Sequence, residues 1–223
     1  VNNMARDKDY RNTIYCPVLD NVEKQKNALE KEIKSAFPRT KIIYNKVNTR
    51  NSVYHKKFAE IYNYKCAYCG AMWGLLPVES FEIDHFLNEA SFPDTTEGRA
   101  EAGMMVNLVW SCISCNRGKC EITVKPPYDD LLNVDNGNIV TVFKRDNNFY
   151  IQICDTYQYD QFIQEFYDAL HLGYETRRLD YLALQLEGRY KAERDVERKR
   201  KLGESLSILL KKRNRMAVTS NLY

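Results

Sequence analysis

Four of the seven cysteines fall in two identical spacings, Cys66-x2-Cys69 and Cys112-x2-Cys115, with 42 residues between the pairs. One such pair could be half of a zinc site, half of a disulfide arrangement, or core. Two in one chain fit a closed tetrahedral Zn²⁺ site, in which four thiolates surround an ion without redox chemistry. Four protein ligands leave no open position, so the expected role is structural rather than catalytic. The cysteine count is odd, and the first residues, VNNMARDKDY, hold no apolar leader segment. Both features predict a reduced, cytoplasmic protein with a metal site in place of a disulfide framework. Cys16, Cys120 and Cys154 have no partner spacing and read as ordinary core or surface thiols.

Between the pairs lies FEIDHF, residues 81–86, where Phe81 and Ile83 alternate with Glu82 and Asp84. That is the period of a half-buried strand. Asp84 and His85 would face opposite ways along a strand but can converge at its end. A carboxylate holds a hard cation such as Mg²⁺, and an imidazole can deprotonate water near neutral pH. Of the three histidines, only His85 sits beside a carboxylate within the cysteine framework. Glu82 reads as a further ligand, as an orienting group behind one, or as an exposed strand carboxylate. The second cysteine pair runs directly into Asn116-Arg117-Gly118-Lys119, a carboxamide and two cations that a zinc site alone does not need.

Taken in order, Cys66/Cys69, Asp84-His85, Asn107-Leu108, Cys112/Cys115, Asn116 and Lys119 resemble the motif of the HNH, or ββα-metal, nucleases. The resemblance covers about residues 58–120. It implies an α+β protein whose ββα-metal core carries a four-cysteine zinc clamp, and an endonuclease that hydrolyses phosphodiester bonds. By position, His85 resembles the general base that activates water, and Asp84 and Asn116 resemble the ligands of a catalytic Mg²⁺ or Mn²⁺. Asn107 is similar to the middle Asn, which ties the loop behind the His. Arg117 and Lys119 resemble groups that contact the cleaved phosphate. More loosely, the helix leading into KCAYCG, the IDHF and the NLVWSCISCNRGK resemble the HNH effectors of Septu-type and retron-associated anti-phage systems, the PtuB-like proteins. That implies an ATPase partner. The loop DHFLNEASF lacks the Pro-Lys common after Asp-His in the broader group. DNA is the expected substrate, with RNA, including tRNA, as an alternative. A zinc-ribbon-like binding module without catalysis would explain the cysteines but not Asp84-His85 or Asn116.

These groups need rigid elements to hold them. Residues 20–36 read as an amphipathic helix with Val22, Leu29, Ile33 and Ala36 to one side, ended by Pro38. Residues 51–63 read as a second helix presenting Tyr54, Phe58 and Ile61. Residues 126–136 read as a loop, and 138–144 with 149–153 as a β-hairpin linked by RDNN. From 158 the period is helical, with Phe162, Phe166 and Leu170 on one face and Leu179, Leu182, Leu186 and Tyr190 on another. Leu202, Leu206 and Leu209 continue it beyond a charge run. The division expected is an N-terminal helical region 1–57, a nuclease core 58–125, and a hairpin with C-terminal helices 126–223. Net charge is only +3, yet residues 176–215 carry +7 and the remainder −4. Such a tail is either a solvated, salt-bridged helix or a polyanion contact, in which Arg198, Lys199 and Arg200 would track a nucleic-acid backbone. No apolar run approaches the roughly 18 residues of a membrane span.

Overall fold

Val22, Leu29 and Ile33 recur at helical spacing, and helix α1 forms over Val22–Ala36 with all three buried. The structure, a computed structural model, describes residues 9–13, 16–120 and 122–219, with side chains as far as 216. The remaining position on the buried face of α1 is Lys26, and it is buried too. Its ammonium donates to the carbonyls of Val106 (3.1 Å) and Leu108 (2.8 Å) and to Asp135 Oδ2 (2.5 Å). An internal cation therefore docks α1 alongside the apolar contacts. Ala36, expected on the same face, is exposed, because the packing ends at Ile33.

Helix α2, Val53–Ile61, starts where the Ser52 hydroxyl accepts from the backbone N–H of His55 at 3.0 Å. It buries Phe58, Ala59 and Ile61 and ends at Asn63 and Tyr64, both in the left-handed region. That reversal delivers the chain into the first cysteine loop. Strand β1, Phe81–His85, pairs antiparallel with β2, Leu108–Cys112, in a register that sets Phe81 against Cys112 and His85 against Leu108. Helix α3, Thr96–Ala102, lies in the connection, and helix α4, Ile113–Lys119, follows β2 with no intervening loop. Phe81 stacks on Trp110 across the pair at 5.6 Å.

The second sheet is smaller than expected. Strand β3, Phe143–Arg145, pairs with β4, Ile151–Ile153, but Ile139–Val142 forms a helical turn. Ile139 and Val142 are three apart, so one turn puts both into the core; a strand would have turned them to opposite faces. Helix α5, Gln161–Ala169, is capped by Asp160, whose carboxylate accepts from the N–H of Ile163 at 3.0 Å. α5 meets α4 so closely that a Cβ on Gly118 would overlap the carbonyl oxygen of Ala169. Helix α6, Glu175–Ala192, then breaks at residues 193–195, and helix α7, Val196–Thr219, folds back along it. Lys199 lies over the Tyr190 ring, and Arg213 reaches Asp180 near the start of α6.

The result is a mixed α+β protein with two two-stranded sheets. One cluster of buried apolar side chains runs from Tyr10 to Leu172 and spans the three sequence regions. No described side chain of α7 is buried. No helix among the described residues is long and apolar enough to cross a membrane.

Candidate metal centre and adjoining carboxylate cleft

The two cysteine loops meet because β2 ends at Cys112, α4 begins immediately, and the first loop is tied to β2 by the N–H of Ala67 donating to the Trp110 carbonyl (2.9 Å). Gly70, at φ +77°, closes that first loop where a side chain would strike the Arg11 backbone. Cys66, Cys69, Cys112 and Cys115 are all buried, and their sulfurs lie within 4.8 Å of one another. Cys69 and Cys112 are 3.8 Å apart. Four sulfurs about 2.3 Å from a central Zn²⁺ would be spaced about 3.8 Å apart, so the cluster could hold a zinc ion. Hydrogen bonds from Cys115, Cys66 and Cys69 hold the Cys112 thiol well below its ordinary pKa.

A zinc tetrathiolate carries two net negative charges, and burying it demands a counterion. Arg177 of α6 supplies one. Its guanidinium donates to Cys115 Sγ (3.3 Å), Cys112 Sγ (3.7 Å), Ser114 Oγ (3.0 Å) and the Leu170 carbonyl (3.2 Å). One turn on, Asp180 accepts from Arg213 Nε of α7 at 2.7 Å. From sequence, Arg177 counts only as one more charge in the basic tail.

The second cluster is built on the same elements. Glu82 and Asp84 share one face of β1 by strand alternation. Asp84 is buried; Tyr68 donates to its Oδ2 at 2.6 Å, and Lys119 Nζ stands 3.3 Å from Oδ1. Burial raises its pKa to about 6 against the opposing pull of Lys119 and Tyr68, and Glu82 adds to the rise. Glu82 Oε2 accepts from Asn116 Nδ2 at 2.8 Å. The His85 ring lies 4.3 Å from the Tyr44 ring. Its Nε2 is 3.8 Å from Glu89 Oε1, too far for a hydrogen bond, and has no hydrogen-bond partner among the described residues. Burial lowers the His85 pKa, with Glu89 opposing and Lys119 assisting. The Tyr44 phenol is pushed up by burial and then by Glu89, Glu82 and Asp84, so these acids face it in common.

Asn107 is fully engaged. Its Nδ2 donates to the carbonyls of Leu87 (2.9 Å) and Ala102 (2.8 Å), and its Oδ1 accepts from the N–H of Leu87 (2.8 Å). It therefore staples the turn directly after His85. Asn116, expected to share a cation with Asp84, bonds Glu82, while Asp84 is held by Tyr68 and Lys119. Lys119 corrects the sequence reading. It is 1% exposed, and its ammonium donates to the carbonyls of His85 (2.9 Å) and Phe86 (3.2 Å). Cys115 and Lys119 are four apart, so the turn that points the thiol inward carries the lysine inward with it. Arg117 remains exposed on α4.

The charge run lies elsewhere. Arg177 and Tyr190 are 13 residues apart on α6, or about 20 Å at 1.5 Å per residue, and the run begins beside Tyr190. Arg200 is bracketed by Glu197 (2.8 Å) and Glu204, and Lys201 also reaches Glu197 (3.5 Å). Arg198 is 4.0 Å from Asp195. Lys26, Tyr68, Tyr44, Glu89 and Arg177 carry no local motif. Only Lys26 leaves a trace in the sequence, as a charged residue on an apolar stripe. Compared with known proteins, the chain matches no family model, no curated protein and no solved structure.

Proposed function

We propose that this chain is a metal-dependent endonuclease of the HNH type, in which β1, β2 and α4 form the ββα-metal core. The observation that carries the reading is His85: an imidazole whose pKa burial lowers, at the end of β1 beside Glu89 and the Tyr44 ring, with the turn after it held by Asn107. A neutral ring keeps one nitrogen lone pair, which takes a proton from water. General-base catalysis of this kind accelerates by about 10²–10⁴-fold. Asp84 and Asn116 would hold Mg²⁺ or Mn²⁺, and their hard oxygen donors suit those ions. Tyr68 and Lys119 each engage one oxygen of Asp84, and each oxygen keeps a second lone pair for a cation. Bound there, such an ion supplies Lewis-acid stabilisation of the charge that develops on the leaving oxygen. The zinc clamp fixes the direction of Asn116, which directly follows Cys115, and Arg117 faces the nucleic acid.

The substrate proposed is DNA, and the setting proposed is anti-phage defence with an ATPase partner; both rest on the sequence resemblance. The test incubates zinc-loaded protein with supercoiled plasmid, or with structured RNA, in Mg²⁺ or Mn²⁺, with and without the ATPase. His85→Ala should lose about 10²–10⁴-fold in cleavage rate while keeping its zinc and its melting temperature. Equal cleavage by the two proteins would overturn the nuclease reading. Binding without cleavage in every arm would favour the zinc-ribbon alternative.

A further inference from the structure

Glu82 is the carboxylate of the cleft that the proposed reaction does not use, and it touches one of the two cation ligands proposed above. An ionised carboxylate can only accept hydrogen bonds. Its contact with Asn116, at 2.8 Å, must therefore be made by the NH₂ side of the carboxamide. The amide oxygen of Asn116 is then turned away from Glu82. A free asparagine can flip its amide at little cost, and one orientation would present two N–H donors to a cation. Asn116 cannot flip without bringing its oxygen against a carboxylate. Cys115 fixes the helix that carries it, so the two side-chain torsions of Asn116 remain to be set, and the hydrogen bond to Glu82 restrains both. Glu82 itself is fixed by the pairing of β1 with β2 opposite Ser111.

We infer that Glu82 is a positioning residue of the cation site: it locks the Asn116 carboxamide with its oxygen available to a hard divalent ion such as Mn²⁺. The inference rests on the cation site of the proposed function. A plain strand-to-helix tie would use the same hydrogen bond, and a double-mutant cycle separates the two roles. In Glu82→Gln, the new carboxamide can either accept from Asn116 Nδ2 or donate to Asn116 Oδ1, so both orientations become available. In an Asn116→Asp background the ligand has two equivalent oxygens and nothing to orient, and the glutamine introduced on β1 can donate to one of them.

The experiment titrates Mn²⁺ into zinc-loaded protein and follows free Mn²⁺ by electron paramagnetic resonance. It compares wild type, Glu82→Gln, Asn116→Asp and the double variant, with zinc content and melting temperature as controls. Glu82→Gln alone should weaken Mn²⁺ binding by about tenfold, the scale of outer-shell partners of metal ligands. The Mn²⁺ concentration for half-maximal cleavage should rise in parallel, while the rate at saturating Mn²⁺ stays within about threefold. In the Asn116→Asp background the same substitution should leave Mn²⁺ affinity unchanged or higher. An equal loss in both backgrounds, or no loss in either, overturns the inference. If Glu82→Gln alone loses zinc, the Gln–Asp pair of the double variant restores the strand-to-helix bond, and Asn116→Asp against the double variant carries the test: weaker Mn²⁺ binding in the double variant overturns the inference. A wild-type protein that neither binds Mn²⁺ nor cleaves overturns the proposed function instead.

Discussion

The two clusters share β1, β2 and α4, and they are finished to different degrees. The cysteine cluster is the more complete: four buried sulfurs lie within 4.8 Å of one another, and the Arg177 guanidinium is seated against two of them, with its Nε left without a partner among the described residues. The carboxylate cluster is less complete: the buried His85 Nε2 lacks a partner among the described residues, burial raises the Asp84 pKa to about 6, and Asn116 spends its NH₂ side on Glu82. A centre that builds the fold can take all its partners from the chain. A centre that acts on something else must leave valences for it. The fold supplies this division on one helix, where the buried Cys115 directly precedes Asn116, which turns to Glu82.

The comparison breaks most visibly at the cysteines. Structural zinc contributes on the order of 10 kcal/mol to small zinc domains, and here it would join the two loops that hold β2 and α4. Cys112→Ala should cost the protein its metal, measured by elemental analysis, and the cooperative unfolding transition of Trp110 fluorescence. A cleft substitution such as His85→Ala should leave both in place. If Cys112→Ala melts like the wild type, the cysteine cluster is not the structural half of the pair.

The carboxylate cluster should show this as a pH dependence. Asp84 has a folded pKa of about 6 against an ordinary value of 3.8. A raised pKa means the folded protein binds this proton more tightly than the unfolded chain. The contribution is therefore present below about pH 4 and is lost as pH rises through about 6. At 1.36 kcal/mol per pKa unit, roughly 3 kcal/mol is lost across that window. Urea denaturation of zinc-loaded protein without other divalent ions should show this fall, and Asp84→Asn should flatten it. A divalent ion added above pH 6 should restore part of the loss, because it binds the ionised form. An identical slope in Asp84→Asn would mean the cleft carries no such cost.

At the cysteine cluster, Arg177→Gln should be milder. It removes the charge but leaves the four thiolates, so zinc affinity should fall by about tenfold, read by competition with a chelator. Because Arg177, Asp180 and Arg213 run in sequence from the sulfurs to α7, limited proteolysis should also cut the α6–α7 hairpin faster. Unchanged zinc affinity would reduce Arg177 to a packing role.

How much of this is legible in the sequence follows from how local each signal is. The cysteine spacings, the strand around Asp84 and the periods of α1 and α2 each lie within a few residues of chain, and the elements appear where expected, although Asp84 is buried against the alternation and Ala36 is exposed. Lys119 misleads because a cation after a cysteine pair looks exposed, and only the helical repeat from Cys115 shows that it points inward. Residues 138–142 look like strand by composition, but burying Ile139 and Val142 together requires a helical turn. Arg177 and Glu89 reach the site through tertiary contacts that no spacing encodes. The break at 193–195 is hidden because the leucine period resumes on α7 after the chain has reversed.

The smallest expected effect belongs to the charge run, and it tests whether contact with nucleic acid is a property of the carboxylate cluster alone. Salt-dependent binding to a nucleic acid comes from cations that release counterions when they meet phosphates. Arg200 already faces Glu197 and Glu204, Lys201 shares Glu197, and Lys199 lies over the Tyr190 ring. Exposed pairs of this kind contribute about 0–1 kcal/mol to stability, and their cations are partly neutralised before any polyanion arrives. Replacing Arg198, Lys199 and Arg200 together by Gln should thus shift the melting temperature by less than about 2 °C and weaken DNA binding by less than about threefold near 0.15 M salt. Arg117→Gln, a single change on α4 with no carboxylate partner among the described residues, should weaken binding at least as much. If the triple variant instead loses a hundredfold and flattens the salt dependence, the α6–α7 elbow, about 20 Å along α6 from Arg177, is itself a nucleic-acid surface.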